Sequence, residues 1–151
     1  LRLADLVEQV WQGLRPLAEQ RRVHLAVEEL ADQPVTVLAD TSRLHRALLN
    51  LLDNAVRFSP DGGTVQVRLR SGPTWCLLSV RDHGPGLSEE DLDHLFERFY
   101  RGDRARARSP RGGSGLGLAI VQQIAHAHGG RVQAANHPQG GALLELLLPL
   151  G

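Results

Sequence analysis

The chain has no lysine; all 17 of its Lys-plus-Arg positions are arginine. Any clamp on an anion must therefore use guanidinium groups or backbone amides. Cysteine occurs once, as Cys76, which excludes an internal disulfide and agrees with a reducing compartment. Its neighbours Trp75, Leu77, Leu78 and Val80 read as strand, so a buried thiol is expected rather than a reactive one. No apolar run approaches the roughly eighteen residues of a membrane-crossing helix, and no signal-peptide pattern is visible. Neither charge is in excess, with 17 acidic and 17 basic residues. The composition thus provides no global field to gather nucleic acid or an anionic membrane. Aromatic residues are scarce, at three Phe, two Trp and one Tyr, and half of them fall in the short run Phe96 to Tyr100.

What remains is the profile of a globular domain. The 151 residues, 42% apolar and 23% charged, suffice for one domain with a real core and are too few for two ordinary ones. The first residue is Leu1 rather than Met, as expected of a piece of a longer protein.

Periodicity orders the elements. Leu3, Leu6, Val7, Val10, Trp11, Leu14, Leu17 and Ala18 recur at helical spacing and predict a helix over 3–20. Exposed apolar positions on it are expected to dock against a preceding domain. Residues 22–28 and 35–39 alternate as short strands. Asp40, Thr41 and Ser42 offer caps to a helix ending near Phe58, where Ser59-Pro60-Asp61-Gly62-Gly63 supplies turn chemistry. Residues 64–70 and 75–81 predict a hairpin, and Ser88 can cap a short helix through Leu95. The arginine-rich run 102–113 has no apolar period and reads as a mobile loop. A helix from about Gly115 to His128 ends at Gly129-Gly130. Strands over 131–135 and 142–148 close the chain, the second apolar enough to be buried on both faces. Mixed order with two hairpins excludes an all-parallel sheet. The expected fold is α+β, a two-layer sandwich with helices on one face of a mixed sheet.

Four short motifs carry chemistry. Asn50, Asn54, Arg57 and Phe58 stand at i, i+4, i+7 and i+8, on one helix face. Asparagine is a mediocre helix former, so the pair weakens the helix unless the amides are used; a solvated face is the plain alternative. An amide oxygen suits Mg²⁺, which takes few protein oxygens beside phosphate and water. Arg57 is then placed to reach phosphate and Phe58 to cover a base. Asp82-x-Gly84-x-Gly86 follows a strand. Its glycines permit a sharp turn, and a buried carboxylate there can accept from the exocyclic amine of adenine, where guanine presents an acceptor. An ordinary Asp-initiated turn is the alternative.

Gly113-Ser114-Gly115-Leu116-Gly117-Leu118 opens a helix. Free backbone N–H groups and the helix dipole make an anion site there; a flexible linker is the alternative, though Leu116, Leu118, Ala119, Ile120 and Val121 continue straight into a helix. No Lys-Ser/Thr follows, so it is not a Walker motif, and no strand precedes it, so it is not a Rossmann fingerprint. Last, Phe96, Phe99, Tyr100 and Arg101 lie beside the arginine-rich run, where Phe96 and Phe99 can anchor a lid that swings Arg101 and its neighbours over phosphate; a hydrophobic plug under a surface loop is the alternative.

In this order and spacing the motifs resemble the catalytic ATP-binding domain of a two-component sensor histidine kinase. That family lies within the gyrase–Hsp90–histidine kinase–MutL ATPase superfamily. The resemblance covers essentially all 151 residues. Asn50-x-x-x-Asn54 is similar to the family's N-box, Asp82-x-Gly84-x-Gly86 to its first glycine box, Phe96-x-x-Phe99 to its F-box and Gly113-x-Gly115-x-Gly117 to its second.

The resemblance implies a Bergerat-type sandwich of about five strands and three helices, binding ATP and Mg²⁺. It implies that Asn54 ligates the metal with Asn50 in support, that Arg57 touches phosphate and that Phe58 lies near adenine. Asp82 holds the adenine amine on this reading. Gly84, Gly86, Tyr100, Arg101, Gly113, Ser114, Gly115, Leu116, Gly117 and Leu118 line the nucleotide, and residues 102–113 form the lid. The implied reaction is γ-phosphoryl transfer to a histidine on a separate dimerisation domain preceding residues 1–20, with a response regulator downstream. None of the seven histidines has an acidic residue directly after it, as the family's acceptor does, so the fragment alone is not expected to phosphorylate itself. The implied setting is cytoplasmic, including the cytoplasmic part of a membrane-bound sensor, with no nucleic-acid partner and a monomeric isolated domain. Gly141-Ala142-Leu143 lacks the hydroxyl common in the family's last strand. A stand-alone anti-sigma-factor-type serine kinase and a degenerate nucleotide-binding or interaction domain are the alternatives.

Overall fold

The computed structural model describes residues 1–98, 100 and 117–150. In chain order the elements are α1 (Leu3–Arg21), β1 (His24–Leu30), α2 (Thr41–Phe58), β2 (Thr64–Ser71), β3 (Trp75–Arg81), α3 (Glu89–His94), α4 (Gly117–Ala127), β4 (Arg131–Asn136) and β5 (Ala142–Pro149). The expected loop over 102–113 lies outside the described residues.

The strands form one five-stranded sheet in the order β1-β2-β3-β5-β4. Only β1 and β2 run parallel, with Leu25 opposite Val65 and Val27 opposite Val67, and α2 bridges between them. The other three pairings are antiparallel. Both hairpins are present, in a mixed sheet backed on one face by α1, α2 and α4, with the short α3 as an addition.

Period-2 alternation selects the covered face. Val65, Val67 and Leu69 of β2, Cys76, Leu78 and Val80 of β3, and Leu144, Leu146 and Leu148 of β5 are all buried. The helices meet them with single stripes: Leu3, Leu6, Val7, Val10, Trp11 and Leu14 from α1, and Leu44, Leu48, Leu51 and Leu52 from α2. Those four α2 leucines are wholly buried, and truncating any one to alanine costs about 2–5 kcal/mol.

Three expectations fail, each for a physical reason. Residues 35–39 form no strand. Val35 and Val37 do turn inward, but no strand runs alongside them: Leu3 N–H donates to the Val35 carbonyl and Val37 N–H to the Leu1 carbonyl, while the Val35 N–H donates to the Glu29 carboxylate at 3.0 Å. A single Arg2–Thr36 bridge results. The apolar stripe of α1 is spent in this domain's own core and is not left exposed for a partner. And β5 is buried on one face only: Leu143, Glu145 and Leu147 stay half-exposed because no described helix covers their side of the sheet.

Local chemistry sets the ends of α2. The Asp40 carboxylate accepts from the Arg43 N–H at 3.1 Å, an N-cap worth about 1 kcal/mol. At the other end Ser59 precedes Pro60 and is extended (φ −74°, ψ 143°), which stops the helix. Arg21 reaches over from the last turn of α1, its Nε donating to the Val56 carbonyl (3.1 Å) and its Nη2 to the Ser59 carbonyl (2.9 Å). A cation thus satisfies orphan carbonyls where the helix dipole is negative. This fixes the end of α2 that carries Arg57 and Phe58. Among the described residues no helix is long and apolar enough to cross a membrane.

Candidate functional site

Because α2 is locked by its leucine stripe, its other face is fixed in place. Asn50, Asn54 and Phe58 lie there half-buried and Arg57 is exposed. The Arg57 Nε donates to the Asp53 carboxylate at 2.9 Å, one turn back. A guanidinium has five N–H donors, so this bond orients Arg57 without exhausting it.

Asp82 follows the last residue of β3 and is 3% exposed. Its Oδ1 accepts two backbone N–H bonds, from Gly84 at 2.9 Å and from Ala142 at 3.2 Å. Backbone donors of this kind let a carboxylate stand buried. The same Ala142 carbonyl accepts from the Asp82 N–H at 3.1 Å, so the first residue of β5 grips Asp82 twice. Ala142, which has no hydroxyl to offer, therefore contributes through its backbone.

The glycines of this turn answer to close approach. A Cβ on Gly84 would lie 2.1 Å from the Phe58 carbonyl oxygen; the turn is pressed onto the end of α2, and only glycine permits it. Gly86 adopts φ +82°, a left-handed conformation that side chains resist. Opposite them, Gly141 has φ +83°, and a Cβ there would meet the Asp82 carbonyl oxygen at 1.9 Å.

The start of α4 arrives beside the asparagine face of α2. Gly117 opens α4, and the Asn50 Oδ1 lies 3.5 Å from where its Cβ would be. The packing of α2 on α4 thus brings the asparagine face and the glycine-rich helix start together. Leu118 packs against the core. Residues Phe99, Arg101, Gly113, Ser114, Gly115 and Leu116 lie outside the described residues.

Tyr100 is placed by a contact that the sequence does not advertise. Its hydroxyl donates to the Asp91 carboxylate at 2.6 Å, and its ring stacks at a tilt on His94, 5.7 Å between centroids. Asp91 is 1% exposed, and its N–H is capped by the Ser88 hydroxyl at 3.1 Å. His94 in turn pairs with Glu97. Phe96 packs on the core. Among the described residues no group of three or more His, Cys, Asp or Glu side chains could hold a metal ion.

Residues 39–151 match the family of histidine kinase-, DNA gyrase B- and HSP90-like ATPases. The chain belongs to that family. It is 47% identical to the sensor protein SphS of Synechococcus elongatus, over 97% of this chain and 37% of SphS. The solved structure of the mycobacterial sensor histidine kinase MprB superposes with a TM-score of 0.83 at 33% identity, covering 99% of this chain and 96% of that one. Full-length ShkA, solved in complex with AMPPNP, gives a TM-score of 0.84 at 31% identity over 100% of this chain and 30% of its own. These likenesses identify a histidine kinase ATPase domain with an ATP-binding fold. The chain spans well under half the length of the curated relatives it matches. The matched region starts at residue 39, yet α1 lies in the same core and caps α2, so the structural unit is longer than the family signature.

Sequence reasoning missed Asp91, Gly141 and Asn136, whose two bonds to Leu87 (2.7 and 2.8 Å) hold the end of the glycine turn. Gly141 was visible as half of a Gly-Gly pair. Asp91 and Asn136 carry no signal separating them from solvated residues.

Proposed function

We propose that this domain binds Mg-ATP and donates the γ-phosphoryl group to a histidine on a separate dimerisation domain of the same protein. A response regulator follows downstream, and the domain works in the cytoplasm. The observation that carries the reading is the buried Asp82 carboxylate beside the end of α2. A buried carboxylate held by backbone N–H groups of Gly84 and Ala142 is an acceptor that suits the exocyclic amine of adenine and repels the carbonyl of guanine. Phe58 covers the base from α2.

Phosphoryl transfer asks a protein mainly for position and charge neutralisation. Arg57, held by Asp53, supplies a cation near the phosphates, and the α4 terminus with Gly113, Ser114, Gly115, Leu116 and Gly117 supplies N–H donors. Gly84 and Gly86 give the ligand close access to backbone, while Tyr100 and Arg101 start the lid over 102–113. Asn54, with Asn50 one turn earlier, is the residue to hold Mg²⁺: a half-buried amide oxygen next to an anion site fits an ion that keeps waters and phosphate oxygens. Bound there, the metal would offset negative charge on the phosphates. The similarity to sensor histidine kinases favours histidine as acceptor.

Calorimetric titration with ADP and a non-hydrolysable ATP analogue, with and without Mg²⁺ and with GTP as control, tests the reading. Adenine-selective, magnesium-sensitive binding is expected. Equal affinity for GTP, or no binding with the dimerisation domain added in trans, refutes it.

A further inference from the structure

The Asp82–Leu87 turn is anchored at both ends by the same hairpin. At its start, Ala142 grips Asp82 through backbone and carboxylate. At its end, the Asn136 side chain makes a two-pronged clamp: its Oδ1 accepts from the Leu87 N–H at 2.7 Å and its Nδ2 donates to the Leu87 carbonyl at 2.8 Å. Asn136 and Ala142 are direct partners in the β4–β5 register. The hairpin end is closed by His137 N–H to the Gly141 carbonyl and Gly140 N–H to the His137 carbonyl, both at 2.9 Å. Arg81 adds two bonds to the Gly140 carbonyl, at 3.1 and 3.0 Å. The clamp also explains Gly86. With φ +82°, a Cβ there would lie 2.8 Å from the Asn136 Oδ1, so any side chain at that position would push the clamp open.

We propose that Asn136 is a positioning residue for adenine recognition: it holds Gly86 and Leu87 so that the Asp82 turn keeps one shape against the end of α2. It touches no nucleotide itself. Aspartate at 136 keeps the acceptor and loses the donor; alanine loses both. The proposal rests on the reading of Asp82 as the adenine acceptor.

The test compares the parent chain with Asn136→Ala and Asn136→Asp. Amide exchange at Leu87 is followed without nucleotide, and binding of ADP and a non-hydrolysable ATP analogue is measured with and without Mg²⁺. Alanine is expected to speed Leu87 exchange and to weaken both nucleotides by the same factor, about tenfold for the loss of one to two neutral hydrogen bonds. Aspartate keeps the acceptor for the Leu87 N–H but sets a carboxylate oxygen against the Leu87 carbonyl, and is expected to weaken binding at least as much as alanine. The gain in affinity on adding Mg²⁺ stays unchanged, because the phosphate end is untouched; a merely structural role would erode it along with everything else. ADP affinity within twofold of the parent, or loss of the magnesium gain, overturns the proposal. If alanine prevents folding, the aspartate variant decides, and parent-like ADP binding by it overturns the proposal. A parent chain that binds no adenine nucleotide sinks the nucleotide reading itself, and the positioning role with it.

Discussion

Replacing Asp82 by asparagine changes one oxygen to an NH₂ group and removes a charge, with almost no change in volume. The variant can keep its amide oxygen where Oδ1 now accepts from Gly84 at 2.9 Å and Ala142 at 3.2 Å. Two charge-assisted bonds become neutral ones, each weaker by about 1 kcal/mol. Against that, a side chain only 3% exposed no longer carries a buried charge, which recovers a similar amount. The fold should therefore hold to within about 1 kcal/mol. Binding is a different matter. With the oxygen kept inward, the NH₂ faces the adenine amine, donor against donor. Losing a charge-assisted hydrogen bond costs about 1.5–3 kcal/mol, and two buried donors left unpaired add about 1–3 kcal/mol. The sum corresponds to roughly a hundredfold to ten-thousandfold loss of ADP affinity. Calorimetry with ADP and a urea melt on the same sample separate the two effects. A variant with parent stability and ADP affinity within threefold of the parent would refute the adenine role of Asp82.

Asn54→Ala should leave the fold intact or slightly stabilised, since alanine is the better helix former by a few tenths of a kcal/mol, while abolishing the gain in nucleotide affinity on adding Mg²⁺; an equal gain in variant and parent would remove Asn54 from the metal site. Tyr100→Phe withdraws the hydroxyl that donates to the buried Asp91 carboxylate and should destabilise the domain by about 1–3 kcal/mol in urea; an unchanged midpoint would mean that the contact carries no stability. Burial pushes the Cys76 thiol up to about 11 from its ordinary 9.0, against a smaller opposite pull from the Leu148 backbone. The folded state then binds the proton more tightly, so this group's contribution is intact below about pH 9 and is lost as pH rises through about 11. The thiol should resist a disulfide reagent at pH 8 until denaturant is added, and rapid native labelling would contradict its burial.

Much of the fold was legible because the signals are local. The leucines of α2 repeat every three or four residues whatever surrounds them, and Ser59-Pro60 stops a helix by its own sterics. The errors are those of an environment that the sequence does not contain. Residues 35–39 alternate like a strand, yet a strand needs a neighbour along its length, and among the described residues the backbone partners there are Leu1 and Leu3. The run of leucines in β5 looks like a strand covered twice. It is covered once, because all three long helices lie on a single side of the sheet.

The site divides along the same line. Residues whose proposed role lies in their own chemistry announce themselves: an amide pair on a helix, a carboxylate before glycines, a glycine-rich helix start. Residues that act by holding backbone in place do not, since a backbone carbonyl gripped from another strand leaves no mark on the sequence near it. Asn136 is 49 residues from the Leu87 it clamps, and Arg21 is 35 from the Val56 carbonyl it caps. The two reveal different dependencies. Arg21 lies outside the matched region, which begins at residue 39, yet it closes the helix that presents Asn50, Asn54 and Phe58. The geometry of the proposed nucleotide face is thus set partly by α1. A displacement of α1 would reach that face through two hydrogen bonds and a shared leucine core.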